Sequence, residues 1–523
     1  MTIKHWKKLQ LSEAATKVGS GATPTGGKET YHASGIPLIR SQNVRFEGFT
    51  EDGLVFLDAS QAASLDNAVV CSNDVLLNIT GASIGRVTLA PPHMDGARVN
   101  QHVTIVRLRD QIDPSFVRWF IASPSQQRQI NSIQVGVTRQ ALTKDMVLRF
   151  ELPLPPFDEQ KRIVAKIEEL FSDLDAGESA LRRAKANLKR YRAAVLKAAV
   201  EGKLTEEWRA KHPAKEPAST LLARILKERR QKWEADQLAK FAADKEPPKN
   251  WKEKYVEQLP PVTTGLPELP ADWCWASVQQ VGSVQLGRQR APQHHSGQHM
   301  RPYLRVANVF EDRIDISDVM EMNFTPNEFE TYRLGYGDIL LNEGQSMELV
   351  GRPAIYRDEV PGACFTNTLV RFRVYDGVDT DYALRVFLAY LKNGRFQKIA
   401  TITVNIAHLG AGRFSEIEFP LPPVAEQAAI IEEVDRHFSL IDAAEKAINL
   451  SLARASRLRQ SILKQAFEGK LVPQDPKDEP ASVLLERLQA SRSVHEGNGK
   501  AGTQNRTRGR RAKSKQLEGR ADE

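Results

Sequence analysis

Apolar positions recur with heptad spacing in two long stretches of the chain. In the first stretch, from Ile163 to Ala198, they step alternately by 4 and 3 residues. The second stretch, from Ile430 to Gln465, keeps the same spacing less perfectly. A repeat of about 3.5 residues aligns apolar side chains in one seam along a helix, as a coiled coil requires. We therefore predict two long helices that pair with each other, with two unpaired surface helices as the alternative.

Prolines and glycines mark where these helices should begin and end. Pro155-Pro156 and Pro422-Pro423 precede the two heptad stretches, and Gly202 and Gly469 follow them. Proline is excluded from a helix interior, and glycine favours the left-handed residue that ends a helix. The seam of the first helix is predicted to include Gly177, Ala184 and Tyr191.

The chain contains an internal duplication. The segment Leu154-Pro-Pro-Phe-Asp-Glu-Gln-Lys-Arg-Ile163 returns as Leu421-Pro-Pro-Val-Ala-Glu-Gln-Ala-Ala-Ile430, an offset of 421 minus 154, or 267. The same offset carries Glu201-Gly-Lys-Leu204 onto Glu468-Gly-Lys-Leu471. A match of this length indicates two copies of one structural unit.

Two lobes precede the helices, and short alternating apolar runs bounded by turns predict much strand in both. They align at anchors: Asp74-Val-Leu-Leu-Asn78 lies opposite Asp338-Ile-Leu-Leu-Asn342, and Asn100 lies opposite Asn367. The fold class expected is α+β, with two mixed α/β lobes, two long helices that pair with each other and an internal pseudo-twofold repeat. The lobes should share a fold while their loops differ.

We divide the chain into six segments on these patterns. Their predicted ranges are a first lobe at 1–153, a first long-helix region at 154–204, a helical linker at 205–270, a second lobe at 271–420, a second long-helix region at 421–471, and a short helix with a tail at 472–523. The linker should hold one helix from about Ser219 to Ala243. From about Arg492 the chain is polar and basic, so this tail should be disordered.

The composition indicates which kind of partner the protein binds and in which cellular compartment it works. A net charge of +8 suits a polyanion partner. Three well-separated cysteines favour a reducing cytoplasm over a disulfide framework. No apolar run reaches the length of a membrane span, and the first residues do not resemble a secretion signal. A cytoplasmic, membrane-free protein is expected.

Motifs for catalysis are missing from the sequence. Leu154 stands where a DNA methyltransferase needs an asparagine or aspartate before Pro-Pro, and Ala22 and Glu29 break the nearest phosphate-loop pattern. The histidines at 294, 295 and 299 have no metal-ligand partners at suitable spacing, so a polar loop that touches phosphate is favoured over a metal site. We expect no catalytic residue, metal or cofactor in this chain.

The order of lobe, Pro-Leu-Pro-Pro-x-x-Glu-Gln, long helix and Glu-Gly-Lys-Leu, then all of it again, resembles type I restriction–modification specificity subunits. The resemblance covers about residues 4–204 and 271–471. It implies that each lobe is a target recognition domain and that an antiparallel coiled coil holds the two domains apart. The second lobe departs where Thr368 replaces a glutamine and where Arg301-Pro-Tyr-Leu-Arg lacks the polar residues that follow in the first lobe.

This resemblance implies a non-catalytic subunit that binds double-stranded DNA. It would dock two methyltransferase (modification) subunits and two restriction (translocase and nuclease) subunits, which would bring S-adenosylmethionine, ATP and Mg²⁺. The expected target is bipartite and asymmetric, with an unread gap set by the helices. Three alternatives stay open: a methylation-only or other DNA-targeting defence complex, an enzyme in its own right, and a scaffold that binds protein.

Side chains able to contact bases or phosphates follow the predicted strands in both lobes. In the first lobe they are Arg40, Ser41, Gln42, Asn43, Thr80, Ser83, Arg98, Asn100, Gln101, His102, Thr138 and Arg139. In the second lobe they are Arg305, Asn308, Glu343, Gln345, Arg352, Asn367, Thr368 and Asn405. The alternative for the asparagines is a structural role in turns.

Overall fold

The computed structural model describes residues 5–23, 31–132, 141–241 and 247–490 of the 523-residue chain. Two compact units divide the chain: one is Met1–Leu181 with Leu450–Glu523, and the other is Arg182–Asn449. Within the described ranges, no helix is both long enough and apolar enough to cross a membrane.

The first unit begins with a lobe of short strands and helices. Its strands are β1 Lys7–Gln10, β2 Ala15–Ser20, β3 Ile36–Ile39, β4 Val55–Leu57, β5 Val75–Asn78, β6 Val87–Leu89, β7 Arg98–Val99, β8 Val103–Leu108 and β9 Glu151–Leu154. Its helices are α1 Leu11–Ala14, α2 Ala59–Ala63, α3 Pro114–Ala122, α4 Pro124–Ser132 and α5 Lys144–Leu148, followed by the long α6, Phe157–Val200.

Two helices, α7 Glu206–Lys211 and α8 Ala218–Lys240, lead to the second lobe. Its strands are β10 Cys274–Ser277, β11 Gly282–Leu286, β12 Met300–Leu304, β13 Val309–Phe310, β14 Arg313–Ile314, β15 Met320–Asn323, β16 Ile339–Asn342, β17 Gly344–Gln345, β18 Pro353–Ile355, β19 Cys364–Phe365, β20 Leu369–Val374, β21 Thr401–Thr403, β22 Ile406–His408 and β23 Glu418–Leu421. Its helices are α9 Val278–Val281, α10 Pro326–Tyr332, α11 Thr380–Asn393, α12 Arg395–Ile399 and α13 Ala411–Glu416, followed by the long α14, Val424–Phe467; residues 481–490 are also helical.

The two lobes repeat the same strand order. The first lobe has the sheets β2-β8-β5-β6 and β4-β3-β7 and the pair β1-β9. The second has β11-β20-β16-β18, β15-β12-β19 and β10-β23 in the corresponding places. In each lobe one pair is parallel, β3 with β7 and β12 with β19. The α+β duplication is therefore confirmed.

Each lobe shares its apolar core with parts of both long helices. In the first unit, Ile163 of α6 and Ile462 of α14 belong to the same cluster as Phe116 of α3. In the second unit, Val195 of α6 and Val434 of α14 pack with the lobe's own core. Burying apolar surface of both helices in each lobe core makes the helices part of the fold rather than surface appendages.

The long helices begin and end where the sequence predicted. The helices α6 and α14 start directly after Pro155-Pro156 and Pro422-Pro423. Gly202 and Gly469 adopt left-handed conformations with φ of 69° and 64° two residues past each helix end. The predicted linker helix is α8, with residues 242 and 243 outside the described ranges.

Contacts between the long helices run antiparallel in both units. In the first unit Arg459 pairs with Asp175, and in the second Lys185 donates to Asn449 over 2.8 Å while Arg192 pairs with Asp442. Residue numbers rise on one helix as they fall on the other, which confirms the predicted pairing.

The predicted seam is wrong in its middle. Gly177, Ala184 and Tyr191 are exposed rather than buried, whereas Ile163, Ile167 and Val195 near the lobes are buried. Side chains as small as glycine and alanine cannot fill an interhelical space, and the long polar side chains described above bridge the helices instead. The heptad pattern correctly predicted where the helices lie, but it predicted a longer buried seam between them than the structure has.

The repeated Glu-Gln dipeptide has a structural role in both copies. Trp6 Nε1 donates to Glu159 over 3.1 Å, and Trp273 Nε1 donates to Glu426 over 2.8 Å. The contacts of the adjacent glutamines also repeat: Gln160 accepts from the backbone N–H of Asp113 over 3.0 Å, and Gln427 accepts from that of Asp379 over 2.7 Å. Burial raises the pKa of the Glu159 carboxyl, while the Trp6 hydrogen bond acts in the opposite direction. These contacts fix the start of each helix to its lobe.

A buried ion pair also recurs in both lobes. Asp74 receives Arg107 through two hydrogen bonds of 2.9 and 2.8 Å, and Asp338 receives Arg373 through two of 2.6 and 2.8 Å. Both carboxylates are buried at the start of a central strand, β5 or β16. Paired geometry of this kind compensates the cost of burying a carboxylate.

We expect Asp74→Asn to lower the free energy of unfolding by about 3 kcal/mol, because it leaves Arg107 without its charged partner beside a buried amide. Asp52→Asn is the matched control, since the Asp52 side chain is 79% exposed and pairs with Arg45 at 3.3 Å. That control should cost less than about 1 kcal/mol. Urea denaturation followed by tryptophan fluorescence measures both, and equal losses would contradict the structural role of the buried pair.

Candidate nucleic-acid interface

The predicted contact segments of the first lobe meet at one edge of its sheets. Because β3 and β7 are parallel, their carboxyl ends lie side by side, and the backbone N–H of Asn100 donates to Ile39 O over 3.1 Å. Asn78, at the end of β5, pairs with Val103 at the start of β8 and donates to Ser41 O over 2.8 Å. Segments 40–43, 80–83 and 100–102 therefore form what we term the first edge.

A chain of polar side chains crosses the first edge. Thr23 Oγ1 donates to Gln101 Oε1, the Gln101 amide contacts His102 Nε2 over 3.1 Å, and His102 Nδ1 contacts Thr80 Oγ1 over 2.5 Å. The nitrogen Gln101 Nε2 can only donate, so His102 Nε2 accepts and the hydrogen-bond network assigns the imidazole proton to Nδ1. Gln101 is exposed while Thr80 and His102 are half-buried, so the network holds an accessible amide in a fixed orientation.

Arg40 and Gln42 also lie at the first edge, and both hold the neighbouring loop. Arg40 Nη2 donates to Gly53 O, and Gln42 Nε2 donates to the same oxygen over 3.0 Å. The Arg40 guanidinium lies 5.5 Å from the ring centre of Tyr31. Gln42 is exposed, and Arg40, Ser41 and Ser83 are half-buried.

Four of the predicted contact residues are buried and engaged inside their lobes. Asn43 accepts from Arg40 N and donates to Thr50 O, and Asn308 does the same with Arg305 N and Asp315 O. Asn100 accepts from His102 N over 3.0 Å. These contacts match the structural alternative for the asparagines, in which the side chain braces a turn.

Arg98 is the fourth buried residue. Its guanidinium donates to Asp66 and to Ala62 O, both over 3.0 Å, and to Gly96 O over 2.5 Å. Three partners within the lobe therefore occupy the guanidinium N–H groups that a base contact would require. Arg98 and the three buried asparagines therefore brace their lobes, and we do not propose them as base contacts.

A second edge has the same construction in the second lobe. The strands β12 and β19 are parallel, and Asn342 at the end of β16 pairs with Leu369 at the start of β20. Thr368 Oγ1 accepts from Val306 N over 3.1 Å, and Glu343 N donates to Thr368 O over 2.9 Å. The second edge thus gathers Arg305, Glu343, Asn367 and Thr368, all half-buried.

A three-stranded sheet, β17-β22-β21, extends the second edge. Gln345 lies on β17 opposite Ala407, and Glu343 Oε2 contacts His408 Nδ1 over 2.9 Å. Asn405 is exposed in the turn between β21 and β22. His408 escaped the sequence prediction because its partner Glu343 lies 65 residues away along the chain.

Arg352 lies beside the second edge, where its backbone oxygen accepts from Asn342 N over 3.1 Å. Its guanidinium stacks 4.5 Å from the ring centre of Phe310, and burial lowers the pKa of this group. Thr138 and Arg139 lie outside the described residues.

At each edge, a glycine allows two backbone segments to approach each other closely. A Cβ on Gly21 would lie 1.7 Å from Val99 O, and one on Gly287 would lie 2.2 Å from Thr366 O. Both glycines follow the first strand of their four-stranded sheet and touch the carboxyl end of a parallel strand. A side chain at either position would push that strand end away, so glycine is required for the close approach.

In the described part of the chain, no group of three or more histidine, cysteine, aspartate or glutamate side chains is placed to hold a metal ion. His294, one of the clustered histidines, contacts Arg288 Nη2 over 3.2 Å instead.

Comparisons with known proteins agree with this architecture. A family model described as the type I restriction modification DNA specificity domain matches residues 3–181 and 302–454. The EcoKI specificity subunit, from a type I restriction enzyme of Escherichia coli K12, is 25% identical over 480 residues, which are 88% of this chain and 90% of the relative.

Two solved structures share the fold. The HsdS subunit from Thermoanaerobacter tengcongensis superposes with a TM-score of 0.52 at 19% identity, covering 90% of this chain and 98% of that one. A chain from a study of complex assembly and conformational transition of the type I R-M system gives a TM-score of 0.58 at 18% identity, covering 90% and 99%. Since the family model matches more than half of the sequence, the chain belongs to the type I restriction–modification specificity-subunit family.

Proposed function

We propose that this chain reads double-stranded DNA for a type I restriction–modification complex, at a target made of two unlike half-sites separated by an unread gap. The observation that carries the proposal is the pair of strand-end edges, which share one scaffold and differ in side chains. The first edge presents Gln101 and the second presents Glu343 and Asn405. Two equal scaffolds with unequal polar groups fit two different sequences.

The exposed or half-buried polar groups suit base contacts in the major groove. An amide side chain such as Gln101 pairs with adenine, arginines such as Arg40 and Arg305 pair with guanine, and a carboxylate such as Glu343 accepts from cytosine. Gln42 donates to Asp52 O and Gly53 O, so its carbonyl oxygen is the group left to contact DNA. Thr80, Ser41, Ser83, Gln345, Asn367, Thr368 and Arg352 would contact phosphates or complete the surface.

The catalytic steps belong to partners in this proposal. Two modification subunits would bring S-adenosylmethionine, and two restriction subunits would bring ATP and Mg²⁺, while this chain contributes no catalytic group. The match to a specificity subunit of a type I restriction enzyme, over 88% of this chain and 90% of the relative, supports this division. A methylation-only or other DNA-targeting defence complex would use the same chain, because the difference lies in the partner subunits.

Methylation mapping tests the whole proposal. Single-molecule sequencing of a host with and without this gene should show adenine methylation that depends on the gene and lies in two unlike half-sites around a fixed gap. A gene-dependent motif that is continuous or palindromic would contradict the proposal, and so would the absence of any gene-dependent motif.

We expect Gln101→Ala to weaken binding to the mapped target by roughly five-fold or more, because one bidentate amide–adenine contact is worth about 1–3 kcal/mol. Its effect should vanish on a duplex whose corresponding half-site is scrambled. Gln129→Ala, at an exposed glutamine on α4, is the matched control. Fluorescence anisotropy of the full chain with its modification subunit measures both variants, and an unchanged affinity for Gln101→Ala would remove this residue from the contact set.

A further inference from the structure

The strands β21 and β22 form a hairpin whose turn is conformationally costly. Thr403 pairs with Ile406, which leaves Val404 and Asn405 as a two-residue turn with φ of 44° and 68°. A turn with two positive φ angles favours asparagine or glycine, and asparagine at the second position fits. Val404 does not fit, because a β-branched side chain is a rare outlier in the left-handed region.

The hairpin also carries apolar side chains that the lobe does not cover. Residues 401–406 are all exposed, with Ile402 at 64%, Val404 at 95% and Ile406 at 48%. Folding gains nothing from placing isoleucine and valine in water, and the strained Val404 adds a local cost. The composition of the tip therefore requires an explanation outside folding, most directly a contact made in a complex.

The base of the hairpin is held firmly. Arg413 donates to Ile399 O over 2.7 Å, to Thr401 Oγ1 over 3.1 Å and to His408 O over 2.9 Å. The strand β22 pairs on its other side with β17, and His408 contacts Glu343 of the second edge. The tip thus projects from a rigid support that is continuous with the second edge.

We propose that this hairpin enters the major groove as a two-stranded ribbon and reads an A·T base pair in the half-site of the second lobe. Asn405 would pair with adenine N6 and N7, and Val404 and Ile402 would contact the 5-methyl group of thymine. A major groove accommodates a two-stranded ribbon, and an A·T pair displays there both the adenine edge that an amide recognises and the methyl group that an apolar side chain recognises. This inference rests on the function proposed above and names the base pair that the second edge selects.

Three variants test the hairpin. Val404→Asn places a residue suited to a positive φ at the turn, so its melting temperature should equal or exceed that of the wild type while its affinity for the mapped target falls. Asn405→Ala should weaken binding by roughly five-fold or more. Tyr336→Ser is the control, because Tyr336 is 74% exposed before the start of β16, at the opposite end of that strand from the second edge.

The probe is the mapped target duplex, compared with duplexes in which the thymines of one half-site at a time are replaced by deoxyuridine, which lacks the methyl group. We expect deoxyuridine in one half-site to weaken binding of the wild type, and to have little further effect on Val404→Asn. The full chain with its modification subunit is used throughout, and anisotropy gives the affinities.

The outcomes separate this inference from the function on which it rests. A wild-type complex that does not discriminate the mapped duplex from a scrambled one would overturn the proposed function. A wild-type complex that discriminates while both hairpin variants bind normally would overturn the hairpin inference alone. A half-site of the second lobe that contains no A·T pair would also overturn the hairpin inference. The same holds if Val404→Asn impairs only assembly with the modification subunit, because the tip would then be a protein-binding surface.

Discussion

A buried hydrogen bond from an indole to a carboxylate fastens each lobe to the helix that follows it. Trp6 reaches Glu159, and Trp273 reaches Glu426, across 153 residues in both cases. The tryptophan comes from the start of a lobe and the glutamate from the first turn of a long helix, so this one bond closes each lobe on itself. Burying a carboxylate costs free energy unless it accepts hydrogen bonds, and the indole supplies one in each copy. In the second copy Glu426 also accepts from Thr205 Oγ1 over 2.7 Å and pairs with Arg209, so three donors hold that carboxylate.

The lobe that this contact closes also positions the edges. The lobe core includes apolar residues of both long helices, so the helices fix the sheets and the sheets fix the ends of their strands. Parallel strands in the small sheets then bring distant polar segments to one side. The scaffold can stay the same in both lobes while the strand-end side chains differ, and the proposed reading of two different half-sites depends on that difference.

Particular residues show what the sequence could predict and why the rest was hidden. Proline pairs and glycines act locally, so they located both long helices, and the repeat located the edges. Burial depends on partners far along the chain. Arg98 was predicted to contact DNA, but in the structure its guanidinium donates to Asp66, 32 residues earlier. The repeated tryptophans and the hairpin turn at Val404 were missed because each acquires meaning only from its neighbours in space.

The most direct test of the two proposed reading surfaces is a missing-nucleoside interference assay, in which hydroxyl radicals remove single nucleosides from the target duplex before the full chain and its modification subunit bind it. We expect two separate zones in which a missing base weakens binding, one in each half-site, with tolerant positions between them. Alanine substitution of Gln101 should relax one zone and alanine substitution of Asn405 the other. A single continuous zone, or one zone affected by both substitutions, would contradict the proposal of two reading surfaces.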